Sequence, residues 1–402
     1  GGRQPFKSED GNYIIAYNGE IYNTSSLRKE LESCSVKFRT KNSDTEVFLK
    51  GYEFWGAKIF EKIDGMFAVA IIDFKKNKLV IARDKFGEKQ LYYAIVKNGI
   101  YISSEIQPLI NILKLEKDLN EDKISAFLSL GYIPSPATGY RNIYSLEPST
   151  LIKINKGKII KKIKYFNNID TKKNLNKRKI DNNFVNEFHD VLINSVKSRI
   201  VSDAKKCLFL SSGIDSSLIA AIISKELKTE ISCITVSFEK EYNEINKAKK
   251  IANFLKLPHH TSNFNNKRID AQYINNIYGQ PNDNLTIVSV IKMCALAKKL
   301  NYRVGITGMG GDEISQGYLK QLFIYKYRFL YSLPEKARKL IYYFANPIFN
   351  KRKVFLYKNI FGIEDKYLYI ALKNIPIFFY LKSITGFETW CYKIFKSFNN
   401  KN

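Results

Sequence analysis

The stretch CLFLSSGIDSSLIAAII, residues 207–223, decides the architecture of half of this chain. Residues 207–210 form an apolar run short enough for a buried strand, and residues 218–223 are an apolar run that a helix would bury. Between them lies Ser211-Ser212-Gly213-Ile214-Asp215-Ser216-Ser217, small and hydroxylated. Such a loop leaves backbone N–H groups unobstructed at a helix N-terminus, where the amides and the helix dipole form a ready anion site. The Ser hydroxyls can add hydrogen bonds to phosphate oxygens. Asp215 is an acid among phosphate-binding groups and points to Mg²⁺ rather than direct phosphate contact. No Gly-Lys-Ser/Thr ends the loop, so it is not a Walker A loop. The plain alternative is a Ser-rich N-cap with Asp in the first turn.

Outward from this stretch the C-terminal half alternates. The pattern predicts helices over 183–200, 216–227, 243–255 and 286–300, with strands over 205–210, 231–238 and 303–307. Alternating strand and helix implies a parallel sheet with helices on both faces. A second glycine-rich segment, Gly305-Ile306-Thr307-Gly308-Met309-Gly310-Gly311-Asp312-Glu313, follows the last of these strands. In a parallel sheet both loops emerge at the carboxyl ends of strands, where ligands bind. Asp312 could then join Asp215 on one metal held by a polyphosphate. A glycine turn before an acidic helix start is the simpler reading of the same residues.

The first ~110 residues read differently. Short apolar runs predict strands over 13–17, 65–73, 79–83, 91–96 and 100–104, with a turn at Asn18-Gly19 and a hairpin at Asn98-Gly99. Helices are expected over 25–33 and 44–55, and strand following strand implies antiparallel sheet structure. Residues 151–181 carry eleven Lys or Arg against two Asp, a net +9. A hairpin turn is expected at Asn155 to Gly157, and the Lys/Asn-rich part after Tyr165 reads as a linker.

With 402 residues the chain is long enough for two domains. Hydrophobic residues at 45% and aromatics at 14% exclude a disordered chain. The net charge of +27 first suggests an anionic partner. No RNP or KH pattern accompanies it, and much of it lies in 151–181 and on helix surfaces, so no nucleic-acid partner is assigned. Cys34, Cys207, Cys233, Cys294 and Cys391 are scattered without a CxxC pair, which fits buried structural thiols and a cytoplasmic setting. No run of about 18 uncharged apolar residues predicts a membrane span. His259-His260 reads as structural or nucleotide-adjacent rather than metal-binding.

The motifs also carry a resemblance. SSGIDSS resembles the pyrophosphate-loop signature SGGxDS of ATP-pyrophosphatases. TGMGGDE followed by Gly317-Tyr318 resembles the SGxGxDE…GGY segment of asparagine synthetases. In the first half, NGEIYN (18–23), SDTE (43–46), GMFA (65–68), ARDKFG (82–87) and SSEI (103–106) are similar to the class II glutamine amidotransferase segments of that family. The resemblance implies an N-terminal antiparallel β-sandwich of amidotransferase type over 1–166. A basic linker would span 167–181, and an α/β parallel-sheet ATP-binding domain of asparagine synthetase type 182–402. It implies an amide-forming ligase that adenylates a carboxylate, most simply aspartate, and lets glutamine-derived ammonia displace AMP. Glutamine, ATP, a carboxylate and Mg²⁺ are the expected partners, and a homodimer is compatible with it.

Residue by residue, Asn18 and Gly19 match the oxyanion hole, and with Glu20 and Asp44 they match the glutamine site. Ser211, Ser212, Gly213, Asp215, Ser216 and Ser217 match the pyrophosphate loop, with Asp215 and Asp312 on Mg²⁺. Leu210, Val236, Thr307 and Gly308 match the surroundings of the adenosine. Several features depart from the family. Its nucleophile is an N-terminal Cys, whereas this chain starts at Gly1 and matches from a GxQP-like segment (Gly2, Gln4, Pro5). It is therefore expected to be N-terminally truncated and not competent as a glutaminase. The tail is expected to be short, lacking the family's ExRxPFLD-like segment. Ser212 and Gln90 replace a Gly and a Pro. Met309 replaces a Glu, which opens the acceptor to other carboxylates, as in surface-polysaccharide or peptide assembly, or to an inactive remnant.

Overall fold

The computed structural model describes residues 3–97, 99–115, 118–166, 180–201, 204–238, 244–264, 271–282, 286–315 and 317, with isolated positions between 329 and 341. Asn98, positions 167–179 of the expected linker, Asn243, Tyr318 and Cys391 lie outside the described residues. The chain divides into two compact units, Gly1–Phe127 with Gly131–Gly308, and Leu128–Leu130 with Met309–Asn402.

The N-terminal half runs β1 (Phe6–Lys7), β2 (Tyr13–Ile21), α1 (Thr24–Ser33), α2 (Asp44–Trp55), α3 (Ile59–Lys62), β3 (Gly65–Asp73), β4 (Lys78–Arg83), β5 (Tyr92–Val96) and β6 (Gly99–Ser103). It continues through α4 (Ile106–Leu113), α5 (Glu121–Leu130), β7 (Ile143–Ser145), β8 (Thr150–Asn155) and β9 (Lys158–Lys164). Two antiparallel sheets result, ordered β1-β2-β3-β4-β8-β9 and β6-β5-β7. Because side chains alternate along a strand, each sheet has two faces to cover. Ile15, Tyr17 and Ile21 of β2 and Phe67, Val69 and Ile71 of β3 pack with Leu27, Leu31, Phe48 and Phe60 of the helices. On the opposite face Ala68, Ile81 and Ile152 pack with Leu91, Tyr93 and Leu146. Ile106, Leu109 and Ile110 of α4 cover the second sheet at Ala94 and Ile143. The layers run helix, sheet, sheet, helix, as a sandwich whose outer faces are both apolar requires.

Two expectations are corrected. Asn18-Gly19 is not a turn. β2 continues to Ile21 and pairs in unbroken register with β3, Asn18 opposite Ala68 and Gly19 opposite Phe67. The glycine is there for close approach: a Cβ on Gly19 would sit 2.1 Å from the Met66 carbonyl oxygen and 2.8 Å from Phe67 Cα. Nor are all the thiols buried. Cys207 and Cys233 are, and burial pushes them up to about 11 and about 12, but Cys34 and Cys294 are exposed. The expected turn after Asn155 is present as a two-residue loop, Lys156-Gly157, with φ 47° and 72°.

The C-terminal half runs α6 (Asn182–Ile200), β10 (Lys206–Phe209), α7 (Ile214–Ala221), β11 (Ser232–Phe238), α8 (Glu244–Phe254), β12 (His259–Phe264), α9 (Ala271–Tyr278), α10 (Thr286–Lys299) and β13 (Val304–Ile306). A π-helical turn, Ile222–Glu226, continues α7. The four strands form a parallel sheet ordered β12-β11-β10-β13. Alternation along β10 fixes both faces. Leu208 packs with Val196, Ala220 and Ala248, from α6, α7 and α8. Cys207 packs on the other face with Ala297 of α10. The chain steps from β10 outward to β11 and β12, then returns to β13 on the other side of β10. That makes the β10/β13 pair the point where the connections diverge, and the crevice beyond such strand ends is where open parallel sheets bind ligands.

The halves meet within the first unit. Arg199, near the end of α6, lies 3.6 Å from Asp64, and its guanidinium stacks 4.6 Å over the Tyr22 ring. Gln280 accepts a hydrogen bond from the Gly139 amide (3.2 Å), and Gly279 packs against Ile106 of α4. In the second unit, α11 (Gly311–Ser315) follows the glycine-rich segment.

Candidate active site

The N-terminal motifs gather at the end of β2. The Gln4 side chain bonds both backbone groups of Tyr17, donating to its carbonyl and accepting from its amide (2.5 Å each). On the other side, Phe67 gives its amide to Asp84 Oδ2 (3.2 Å) and its carbonyl to the Asp84 amide (2.8 Å). The Gly19–Phe67 pair is therefore a non-hydrogen-bonded pair of the antiparallel ladder, and the Gly19 amide points away from β3. Asn18 lies one position before it and donates from Nδ2 to Ser104 Oγ (3.3 Å), which draws the SSEI segment to the same place. Asp44 opens α2, whose N-cap Ser43 accepts from the Glu46 amide. The Tyr17 hydroxyl donates to Asp44 Oδ2 (2.9 Å). Burial first, then the Asp44 charge, holds the Tyr17 phenol well above its ordinary range, so it remains a donor. Asp44 is thus tied through the Tyr17 hydroxyl to the strand that carries Asn18 and Gly19, a link that the sequence did not single out, while the Asn18 side chain turns to Ser104 on the other face of the sheet.

Other motif residues are scaffolding. Asp84 is fully buried and also accepts from the amides of Phe86, Glu88 and Lys89 (2.9–3.0 Å). Arg83 donates to the carbonyls of Lys89, Leu146 and Gly87 and to Gln90 Oε1 (2.9 Å). Gln90 thereby completes the ligation of Arg83. Glu46, also fully buried, accepts from the amides of Arg39 and Thr40 and the Thr40 hydroxyl. Burial works to raise its carboxyl, but these donors outweigh it and the net direction is down.

At the end of β10 the 211–217 loop is held by its own hydroxyls. Ser216 Oγ lies 2.8 Å from Ser211 Oγ and accepts from the Ser211 amide (3.0 Å). Ser211 Oγ accepts from the Gly213 amide (3.1 Å), and Ser217 Oγ donates to the Gly213 carbonyl (2.7 Å). The amides of Ile214, Asp215 and Ser216 open α7, where no carbonyl of the preceding turn serves them. Gly308, just past β13, faces this helix start: a Cβ there would lie 2.8 Å from the Ser216 nitrogen and 3.0 Å from Asp215 Cβ. Having no side chain, Gly308 lets the segment after β13 close against the helix start as one wall of a cradle at these amides, and amides at a helix start are what an anion such as phosphate binds. Gly308 is thus placed at this helix N-terminus; Leu210 follows β10 in the core, Thr307 precedes Gly308 after β13, and Val236 lies on the adjoining β11. Asp312 belongs to α11 of the second unit. Among the described residues no three His, Cys, Asp or Glu side chains group to hold a metal.

Beneath the loop, the Thr235 hydroxyl donates to the Leu210 carbonyl (2.6 Å) and lies 2.8 Å from His259 Nε2. With its proton committed, Thr235 can only accept from His259, which fixes the Nε2–H tautomer. Nδ1 is buried without a partner among the described residues. Burial chiefly, then His260 and Lys249, pushes the His259 pKa below its ordinary 6.5. Unfolded chains take up this proton more readily than folded ones, so stability should be intact above about pH 6.5 and fall as pH drops below it. Urea midpoints measured from pH 8 to 5 should show this slope, and His259→Gln should flatten it. An unchanged slope would remove His259 as its source.

Comparison with known proteins gives two family matches: a glutamine amidotransferase domain over residues 1–166 and asparagine synthase over 187–354. The chain is 32% identical over 324 residues to asparagine synthetase [glutamine-hydrolyzing] 1 of Bacillus subtilis, covering 79% of this chain and 49% of that one. To asparagine synthetase B [glutamine-hydrolyzing] of Escherichia coli it is 27% identical over 341 residues, covering 79% and 54%. To a Methanocaldococcus jannaschii chain it is 30% identical over 332 residues, covering 81% and 62%. The chain thus spans about half to three-fifths of the length of these relatives. Among the described residues no helix is long and apolar enough to cross a membrane.

Proposed function

We propose, from the premise that the chain belongs to the asparagine synthetase-type family joining a glutamine amidotransferase to an ATP-pyrophosphatase domain, that it is an ATP-dependent amide-forming ligase. The observation that carries this reading is the set of amides at the start of α7, against which Gly308 closes at the divergence of β10 and β13. A carboxylate oxygen attacks the α-phosphorus of ATP and pyrophosphate leaves. Ammonia then attacks the acyl carbon, and AMP leaves with the carboxylate oxygen. The amides of Ile214, Asp215 and Ser216 would bind the departing phosphates. Asp215 would hold Mg²⁺, which would neutralise phosphate charge. Asn18 Nδ2 and the Gly19 amide would stabilise the oxyanion of glutamine hydrolysis, with Glu20 and Asp44 binding the glutamine amine. Aspartate is the simplest acceptor, with asparagine the product. Cytoplasmic action and a homodimer belong to the same reading.

Met309 favours a second acceptor. A thioether stands where the family usually has Glu and cannot carry a proton or pair with ammonium, so another carboxylate is the alternative substrate. Exchange of labelled pyrophosphate into ATP, measured with aspartate and a panel of sugar acids, peptides and β-amino acids, tests both. Acid-dependent exchange that drops about tenfold or more in Asp215→Ala is expected. No exchange with any acid would overturn the ligase reading, and exchange with another acid but not aspartate would select the second acceptor.

A further inference from the structure

Ser212 stands where the related loops have Gly, and the structure gives its side chain a partner outside the loop. Glu244, the first residue of α8, takes the Ser212 amide on Oε1 and the Ser212 hydroxyl on Oε2, the latter at 2.9 Å. Both donors of Ser212 are therefore committed to one carboxylate. Ser211, Ser216 and Ser217 are likewise turned inward on the loop itself. What remains directed at the Gly308 cradle is the set of amides at the start of α7.

We infer that Glu244 is a positioning residue for nucleotide binding. It clamps the second loop residue to α8, so that Ser212 fixes the loop rather than donating to phosphate. The inference rests on the nucleotide reading of this loop. Its physical content is preorganisation: two charge-assisted hydrogen bonds set the path from β10 to α7 before the ligand arrives, so binding does not bear the cost of ordering that segment. The carboxylate charge makes the opposite role conceivable. A Glu244 that occupied a phosphate's place would compete with the nucleotide, and removing it would strengthen binding. The two roles predict changes of opposite sign.

The test uses the full chain, with MgATP as the probe, in calorimetric titration alongside amide hydrogen exchange of residues 211–215 in the free protein. Glu244→Ala should speed exchange of the Ser212 amide and weaken MgATP binding about tenfold. Glu244→Gln retains one acceptor for the amide and should recover part of both. Ser212→Gly removes the hydroxyl bond, keeps the amide bond to Glu244 and should weaken MgATP binding less than Glu244→Ala does. Tighter or unchanged binding in Glu244→Ala would overturn the clamp, as would a loss in Ser212→Gly larger than that in Glu244→Ala, which would mark the Ser212 hydroxyl as a phosphate donor. A wild-type chain that binds no MgATP would instead overturn the nucleotide reading, and the exchange rates would still show whether Glu244 orders the loop.

Discussion

Gly308→Ala should weaken MgATP binding about 100-fold while leaving the fold in place. The added methyl carbon would lie 2.8 Å from the Ser216 nitrogen and 3.0 Å from Asp215 C and Cβ. Most of that contact is backbone and the root of a side chain, so no flexible tip can swing aside. Its φ lies outside the left-handed region, so alanine is allowed by the local backbone. The methyl group would stand where a phosphate oxygen must come to meet the helix amides. Losing two hydrogen bonds to a charged group, at roughly 1.5–3 kcal/mol each, gives the stated factor with some relaxation of α7. Calorimetry with MgATP reads the affinity, and thermal unfolding checks the fold. Affinity within threefold of wild type, with the fold intact, would show that the cradle is not where phosphate binds.

Phe48→Ala should cost about 3–5 kcal/mol in the N-terminal half. Phe48 is fully buried and meets Tyr17, Phe60 and Phe67 edge-on at centroid distances of 5.5, 5.9 and 5.3 Å. These rings join α2 and α3 to the large sheet, and their neighbours cannot collapse into the gap without moving strands. The damage should also reach the site. Tyr17 leans on Phe48 and donates to Asp44, and Phe67 lies opposite Gly19. Urea unfolding followed by Trp55, which packs on this core, gives the measurement in a Trp390→Phe background. A loss below about 1 kcal/mol would mean that the aromatic cluster is not the keystone its burial implies.

The two halves were legible in the sequence to different depths. Continuous apolar runs such as GMFAVAIID and the SDTE-led helix were readable because pattern and capping agree there; β3 and α2 occupy the expected residues. The CLFL strand and the loop after it were readable for the same reason. The Asn18-Gly19 turn was misread because a two-residue signal is local, whereas the register with β3 is set by a strand some fifty residues later in the chain. Helices α4, α5 and α9 escaped notice. Their apolar residues serve packing against distant partners, such as Ala94 and Ile143 for α4, which no window of sequence contains. Glu244 was hidden likewise: it acts on the 211–217 loop across a gap of more than twenty residues, whereas His259, read as structural or nucleotide-adjacent, meets Thr235 of β11 beneath that loop. Tyr17 looked like a core residue, which it is, and its hydroxyl acts at the edge of that core.

The contact of Arg199 with Asp64 and Tyr22 makes the junction between the halves responsive to the solvent. Both charged groups are partly open to water, so their attraction is screened over about 8 Å at physiological ionic strength and fades further as salt rises. The ring stacking and the packing of Gly279 on Ile106 do not fade in the same way. Added salt would therefore ease one edge of the seam while leaving the other seated.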